Sequence, residues 1–334
     1  MKDFWTKMSR RQAIKAGAGI GAGLAFGHLP GCGKSTSELA APPSAVEFVP
    51  TPIPVSSLLI SKPIPSTGEM IPVVGIGTAG NFNLRDVDPE WAVRKEVITQ
   101  IPELGGRLID TAPSYGRGVA EPVIGQLVSE IGNREKLFLA TKVRKESTEG
   151  GIQEMEQSFV NLKTDVIDLI QIHNLMNWQG ILPVIREWKA AGRYRYIGMT
   201  TSSDRQHEAF GDMMQQADLD FVQVNYSLGS RAVEDRILPL AADRGMAVLV
   251  NLPYGRGRLF DAVGDRPLPD WATELECESW GQVFLKYIVS HPAITCAIPG
   301  TYKMAYLTDN FGAATGPLPD AAMRKTMEDF YDAL

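Results

Sequence analysis

The chain has 334 residues, of which 44% are hydrophobic and 22% are charged, with a formal net charge of −6. This length allows a large core, organised either as one α/β barrel or as two ordinary domains. An acidic chain with no basic block after residue 40 argues against a nucleic-acid-binding surface and against direct binding to anionic lipid.

The first 32 residues have the features of an export signal. Arg10 and Arg11 precede a weakly apolar, glycine-rich stretch that is too short to span a bilayer. The pattern resembles a twin-arginine signal peptide, which predicts recognition by the twin-arginine translocase and a periplasmic or other extracytoplasmic location. Leu29-Pro30-Gly31-Cys32 resembles a lipoprotein cleavage site, so Cys32 is the expected point of a lipid anchor. Residues 33–56, rich in Ser, Pro and Ala, predict a flexible tether.

From residue 57 onward, short apolar runs alternate with amphipathic stretches. Continuous apolar strands separated by helices indicate a parallel sheet covered on both faces, and eight such units close a barrel. The sequence therefore predicts an α/β fold, a (β/α)8 TIM barrel over residues 57–334. Its predicted strands are 73–77, 107–110, 137–141, 166–172, 196–199, 221–225, 247–250 and 295–298. Its predicted helices include 89–104, 151–162, 181–191, 232–244, 281–290 and 321–333.

An open doubly wound sheet is the competing architecture. It is disfavoured because no Gly-x-Gly-x-x-Gly opens the first helix, and because ionisable residues end several successive strands. Residues 58–60 and 71–73, separated by Ser66-Thr67-Gly68, predict an N-terminal β-hairpin over the barrel floor. Residues 252–279 form a long insertion, and loops of that length are usually functional.

The three cysteines and the histidines give no metal-binding pattern. Cys32, Cys277 and Cys296 fit neither a disulfide framework nor a metal site, and Cys296 lies in an apolar run that predicts a buried core thiol. A metal-dependent barrel hydrolase is a weak alternative. His28, His207 and His291 do not fall at matching strand ends and no His-x-His pair is present, so no metal is expected.

Several predicted strands end on ionisable side chains. Asp110 ends one strand and is followed at once by a Pro, Ser and Gly loop that carries Tyr115, whereas Lys142 and His173 end the next two. Because parallel strands of a barrel meet at one rim, these four residues are expected to converge. Lys142 is expected to lower the pKa of Tyr115, Asp110 to keep Lys142 charged, and His173 to orient a substrate oxygen. Such a set suits interconversion of a carbonyl and an alcohol.

Residues 106–116 read Gly-Arg-Leu-Ile-Asp-Thr-Ala-Pro-Ser-Tyr-Gly, with Glu121 and Gly125 following. This segment resembles the signature of the aldo-keto reductase superfamily. The resemblance implies a (β/α)8 barrel that uses NADPH or NADH without a Rossmann domain. It also implies Tyr115 as the acid/base, Asp110 and Lys142 as the residues that tune it, and His173 as the substrate-orienting residue.

The resemblance further implies a cofactor site along the rim. Gly198-Met199-Thr200-Thr201 and Gln223 match the part that holds the nicotinamide carboxamide, residues 252–255 match the pyrophosphate loop, and residues 298–301 with Asp309-Asn310 match the adenosine end. The expected cofactor-binding residues are Gly77, Thr78, Thr200, Thr201, Gln223, Asn251, Leu252, Pro253, Gly255, Pro299, Gly300, Thr301, Lys303, Asp309 and Asn310.

The chain departs from the family at the cofactor site. Asn251 stands where an aromatic ring commonly stacks on the nicotinamide, and Gly300 and Tyr306 stand where NADPH-preferring members often carry Lys and Arg. Thr301 and Lys303 compensate in part, so NADP is favoured, with NAD as the alternative. Substrate choice is expected to fall to loops that include Asn81-Phe82 and residues 174–180.

The function expected from these features is an NAD(P)H-dependent oxidoreductase that acts on a small-molecule carbonyl or alcohol. Because the twin-arginine route exports folded proteins, the cofactor is expected to be loaded before export. The alternative is a non-catalytic or slow nucleotide-binding sensor with the same barrel. The intact set of four rim residues favours the enzyme.

Overall fold

The computed structural model describes residues 59–85 and 87–334. The export signal, Cys32 and the tether to residue 56 lie outside these residues. The strands are β1 Ser61–Pro63, β2 Met70–Pro72, β3 Ile76–Gly77, β4 Leu108–Asp110, β5 Phe138–Val143, β6 Ile167–His173, β7 Tyr194–Thr200, β8 Phe221–Asn225, β9 Ala247–Asn251 and β10 Cys296–Ala297. The helices are α1 Glu90–Glu103, α2 Ala120–Ile131, α3 Thr148–Leu162, α4 Trp178–Ala190, α5 His207–Gln216, α6 Ile237–Asp243, α7 Arg258–Val263, α8 Trp271–Glu274, α9 Trp280–Ser290, α10 Met304–Gly312 and α11 Ala321–Asp332. None of the described helices is long and apolar enough to cross a membrane.

Strands β3 to β10 form one parallel sheet in which each strand pairs with its neighbour in the chain. The sheet closes where β3 meets β10, through parallel bridges from Val74 to Ala297 and from Gly77 to Gly300. A closed sheet with helices between its strands confirms the (β/α)8 barrel and excludes the open doubly wound sheet.

Gly77 lies at the closure and makes it sterically feasible. A Cβ at this position would lie 2.8 Å from the carbonyl oxygen of Ile298. A side chain there would push apart the first and last strands of the barrel, so the position favours glycine for packing rather than for backbone conformation. The same junction forms part of the rim at which the candidate site lies.

The predicted hairpin closes the barrel floor, with its strands a few residues from their expected bounds. Strands β1 and β2 pair antiparallel, and the fully buried Ile64 and Ile71 insert among the inward-facing side chains of the barrel. Lys62 on β1 donates hydrogen bonds of 2.8 Å to the carbonyl oxygens of Val289, His291 and Ile294, at the end of α9 and in the segment that leads to β10. The hairpin is therefore held to the barrel by both apolar packing and the half-buried cation of Lys62.

Two other parts of the chain bear on the predictions. Cys296 is fully buried inside the barrel, and burial raises the pKa of its thiol, as expected of a core cysteine. The insertion 252–279 contains the short helices α7 and α8 rather than only loop. These helices have 6 and 4 residues, too few turns for a periodic apolar pattern to indicate them in the sequence.

Candidate active site

The register of the barrel brings the predicted rim residues together. Gly77 on β3 pairs with Asp110 on β4, and His173 on β6 pairs with Thr200 on β7, which in turn pairs with Gln223 on β8. Parallel strands that end at matched register place their last side chains side by side. Each of these residues therefore faces one shared space at the carboxyl end of the barrel.

Asp110 and Lys142 form a buried ion pair beneath this space. The ammonium Nζ of Lys142 lies 2.5 Å from Asp110 Oδ1 and also donates to the carbonyl oxygen of Thr111 at 2.8 Å. The other oxygen, Oδ2, accepts hydrogen bonds from the amides of Gln223 at 2.9 Å and Gln171 at 3.2 Å. Burial by itself lowers the pKa of Lys142, but Asp110 and Tyr115 together more than offset it, so the net pKa is raised and the amine stays charged.

Tyr115 lies beside this pair, in the one-turn 3-10 helix that follows β4. Lys142 Nζ is 4.8 Å from the centre of the Tyr115 ring. Burial is the largest influence on the phenol and raises its pKa, while Lys142 lowers it and Asp110 raises it further. The net direction is upward, so the expectation that Lys142 gives Tyr115 a lowered pKa is wrong. The effect of Lys142 has the predicted sign, but the loss of solvent outweighs it.

His173 completes the group as a neutral imidazole. Its ring meets the Tyr115 ring edge-on, with 6.2 Å between the ring centres. Burial lowers the pKa of His173 to about 3, and the positive charges of Lys142 and Arg144 contribute in the same direction. A neutral imidazole can donate one hydrogen bond without adding charge, which suits a residue that orients a substrate oxygen.

These residues line a cavity of about 520 Å³ at the rim. It contains Asp110, Tyr115 and His173, and most of the predicted cofactor residues from the strand ends lie on its wall. These are Gly77, Thr78, Thr200, Gln223, Asn251, Leu252, Pro253 and Gly300. The cavity thus extends from Asp110, Tyr115 and His173 to Gly77 and Gly300, where the barrel closes.

The remaining predicted cofactor residues, Thr201, Gly255, Pro299, Thr301, Lys303, Asp309 and Asn310, are not on the cavity wall. The carboxylate of Asp309 accepts hydrogen bonds from Ser279 at 2.7 Å and Gln282 at 3.0 Å. The amide of Asn310 donates to Thr301 Oγ1 at 2.9 Å. These polar groups bind neighbouring elements of the chain, and their contact with an adenosine stays a prediction.

Several cavity residues were missing from the expected set. Tyr254, Arg256 and Gly257 of the insertion line the cavity together with Ser202. Tyr254 was part of the loop motif, but only packing fixes its ring, which contacts Phe260 and Phe284. Of the expected substrate-loop pair, Asn81 faces the cavity whereas Phe82 is fully buried in the core.

The arrangement defines a class of protein: a closed barrel whose rim cavity holds a tyrosine, a buried lysine and aspartate pair, and a neutral histidine. Such a cavity can exchange a proton with a carbonyl or alcohol oxygen. The chain belongs to the aldo/keto reductase family, whose family model matches residues 73–328. The match confirms the expected enzyme class, an NAD(P)-dependent aldo-keto reductase.

Individual relatives agree with this assignment. The chain is 32% identical to aldo-keto reductase YhdN of Bacillus subtilis over 211 residues, 59% of this chain and 62% of that protein. It is 26% identical to the NADH-specific methylglyoxal reductase of Escherichia coli over 301 residues, 76% of this chain and 89% of that protein. A crystal structure of an aldo-keto reductase from Klebsiella pneumoniae in complex with NADPH has the same fold, with a TM-score of 0.70 at 22% identity, over 82% of this chain and 96% of that one.

Proposed function

We propose that the protein is an NADP(H)-dependent oxidoreductase that interconverts a small carbonyl compound and its alcohol, with Tyr115 as the general acid/base. The observation that carries the proposal is the buried, charged Lys142 beside Tyr115 at the wall of an open cavity. A fixed cation next to a phenol stabilises the phenolate that forms when the proton leaves. The name of the methylglyoxal reductase relative supports a small aldehyde or ketone as substrate.

The cavity suits a nicotinamide nucleotide. Asn251 donates through Nδ2 to the carbonyl oxygen of Thr201 at 2.9 Å, while its Oδ1 is buried without a hydrogen-bond partner among the described residues. A buried acceptor without a partner is costly unless a ligand satisfies it, and the amide of a nicotinamide carboxamide is a suitable donor. Gly77 and Gly300 keep the wall free of side chains where the barrel closes. The NADPH complex of the Klebsiella structure supports NADP(H) as the nucleotide.

The chain's own residues supply the proton chemistry. When bound, the nicotinamide delivers or accepts the hydride at the reacting carbon. In reduction, the Tyr115 hydroxyl donates a hydrogen bond to the carbonyl oxygen and then transfers its proton, leaving a phenolate that the Lys142 ammonium stabilises. Asp110 keeps Lys142 charged, and His173 donates a hydrogen bond that holds the carbonyl oxygen near Tyr115. In oxidation the same proton returns to the phenolate.

Substitution of Tyr115 by Phe tests this assignment. The change removes the transferable proton while keeping the ring, so carbonyl reduction should fall by about 10² to 10⁴ with nucleotide binding nearly unchanged. Tyr194→Phe is the matched control, because it makes the same deletion at a tyrosine that lies on neither cavity wall and whose buried hydroxyl has no hydrogen-bond partner among the described residues. It should retain most activity. Equal rates for wild type and Tyr115→Phe would contradict the mechanism, and nucleotide binding without turnover in the wild type would favour the sensor alternative.

We also propose export of the folded, nucleotide-loaded protein through the twin-arginine translocase, followed by lipid anchoring at Cys32. The support is Arg10 and Arg11 before a glycine-rich segment and the cleavage-like motif that ends at Cys32. Outside the cytoplasm, a retained nucleotide would be recycled by paired oxidation and reduction of two substrates.

Arg10→Lys with Arg11→Lys should keep the protein in the cytoplasm, and Cys32→Ser should release it from the membrane fraction. Unchanged fractionation of both variants would contradict the proposal.

A further inference from the structure

A second cavity, of about 580 Å³, opens beside the first and shares one wall residue with it. The shared residue is His173, so the second cavity begins at the reacting end of the site. Its other walls come from the loop after β4, through Ser114, from the loop after β5, through Arg144 and Ser147, and from the loop after β6, through Met176. A substrate whose carbonyl lies between Tyr115 and His173 would extend its remaining atoms into this space.

Arg144 supplies this second cavity with a positive charge that has no partner in the described part of the chain. Its backbone N–H donates to Glu154 Oε2 at 2.6 Å, but its guanidinium makes no hydrogen bond or ion pair with any of the described residues. The neighbouring Lys145 differs, because its ammonium is paired with Glu154 Oε1 at 3.3 Å. Arginine binds planar oxyanions through two parallel hydrogen bonds, and an exposed guanidinium on a cavity wall is free to do so.

The other charges around the cavity define which anion fits. Glu154 is compensated by Lys145 and by the backbone of Arg144, which leaves Glu146 as the remaining carboxylate on the wall. Burial is the largest cause of the low pKa of His173, and the positive charges of Lys142 and Arg144 lower it further. His173 therefore lies near two positive charges, while the wall of the second cavity as a whole carries two charges of each sign. With one free guanidinium and one remaining carboxylate on the wall, the cavity favours a monoanion over a phosphate dianion, which Glu146 would repel more strongly.

We propose that Arg144 determines substrate specificity by binding a carboxylate on the non-reacting end of the carbonyl substrate. The preferred substrates are then oxo acids, in which an aldehyde or ketone is joined to a carboxylate, and the products are the hydroxy acids. The inference rests on the proposed function, since the carbonyl end is held by Tyr115 and His173. Ser114 and Ser147 provide hydroxyls, and Met176 an apolar wall, for the atoms between the two ends.

The test compares one substrate with and without its charge. The full-length protein loaded with NADPH is given 4-carboxybenzaldehyde or its methyl ester, methyl 4-formylbenzoate, and kcat/KM is measured for each. The wild type should prefer the acid, and Arg144→Gln should lower the ratio of acid to ester by about 10- to 100-fold, chiefly through KM, because a charge-assisted contact is lost. Glu146→Gln should raise the ratio. Arg117→Gln, which makes the same change in net charge at an exposed residue on neither cavity wall, should leave it unchanged.

The outcomes separate this inference from the proposed function. Reduction of the ester with no preference for the acid, or a ratio that Arg144→Gln does not change, overturns the role of Arg144 and leaves the reductase intact. Absence of turnover with both compounds overturns the reductase. Equilibrium binding of the product 4-(hydroxymethyl)benzoate to the NADP-loaded protein then tests the carboxylate site by itself: weaker binding to Arg144→Gln than to Arg117→Gln supports it, and equal binding overturns it.

Discussion

The ammonium of Lys142 lies 2.5 Å from the carboxylate of Asp110, and the two side chains are only 1% and 3% exposed. Removing two charges from water costs several kcal/mol, so a buried pair of this kind seldom contributes much net stability. What the pair provides is a permanent positive charge beside Tyr115, in a place that water does not screen. Removing either Lys142 or Asp110 would leave the other charge buried and unpaired, which destabilises the folded state.

Lys142→Met should therefore destabilise the fold, by about 3 to 5 kcal/mol in the free energy of unfolding, because Asp110 is left buried and unpaired. The double variant Lys142→Met with Asp110→Asn should recover part of that loss. Urea unfolding measured without nucleotide gives both values. Lys136→Met is the control, since Lys136 and Glu103 form a pair at 3.1 Å with side chains 62% and 56% exposed, which should cost at most about 1 kcal/mol. If Lys142→Met and Lys136→Met lowered the free energy of unfolding equally, the predicted cost of leaving Asp110 buried and unpaired would be contradicted.

His173 should remain neutral throughout the range in which the enzyme is assayed. Because its pKa is lowered to about 3, its NMR signals should not titrate between pH 5 and 8. Between its folded pKa and the ordinary value near 6.5, the unfolded chain binds a proton that the folded protein does not. Folding stability should therefore fall as the pH falls through this window, by up to about 1.4 kcal/mol per pH unit from this residue. His173→Asn should remove that slope, and a His173 titration midpoint near 6.5 would contradict the assignment.

The contribution of Glu121 to folding stability should change with pH in the opposite direction to that of His173. It is buried on α2, and burial raises its pKa although Thr141 and Asn161 donate hydrogen bonds to its carboxylate. The folded protein then binds the proton more tightly than the unfolded chain, so this contribution to stability is present at low pH and is lost as the pH rises through the folded pKa. Relative to wild type, Glu121→Gln should become more stable as the pH rises from 4 to 7. Glu130 is exposed on the same helix, and Glu130→Gln should show no such rise. A difference in stability between Glu121→Gln and wild type that did not change with pH would refute the prediction.

The barrel and the four rim residues could be predicted because the signal is local. Each apolar run ends next to its ionisable residue in the sequence, and parallel strands necessarily bring such ends to one rim, as Asp110 and His173 illustrate. The hairpin could also be predicted from the sequence, because Ile71 belongs to an apolar run with a turn before it. The residues that indicate each of these features lie within a few positions of one another in the sequence.

The direction of the Tyr115 pKa and the cavity wall could not be predicted in this way. Burial depends on residues from many strands, and the sequence shows the neighbouring Lys142 but not the solvent that packing removes. The wall contributed by Tyr254 depends on its contacts with Phe260 and Phe284, which lie 6 and 30 positions away. Arg144 likewise resembles any surface arginine until the cavity beside it is known.

The residues expected to meet the 2′-phosphate of NADPH are exposed and carry little charge. Tyr306 is 44% exposed, and its ring packs against Tyr302 with 5.2 Å between the ring centres. Lys303 is exposed, with Nζ 5.7 Å from the Tyr302 ring centre, and it forms no ion pair among the described residues. Lys303 thus places one exposed cation between Gly300 and Tyr306 in the sequence, the two positions that are often basic in NADPH-preferring members. The charge available to distinguish the two nucleotides is small.

We therefore expect NADPH to bind only modestly more tightly than NADH, within about a hundredfold, because a single charge-assisted contact accounts for roughly 1.5 to 3 kcal/mol. Lys303→Ala should narrow or invert this preference by removing that contact, whereas Tyr306→Arg should widen it by adding a bidentate donor for the phosphate. Fluorescence titration of each variant with both nucleotides measures the two dissociation constants. Lys325→Ala on α11 is the control for loss of one positive charge, since its ammonium is already paired with Asp329. A preference that neither Lys303→Ala nor Tyr306→Arg changes would show that the adenosine end lies elsewhere on the rim.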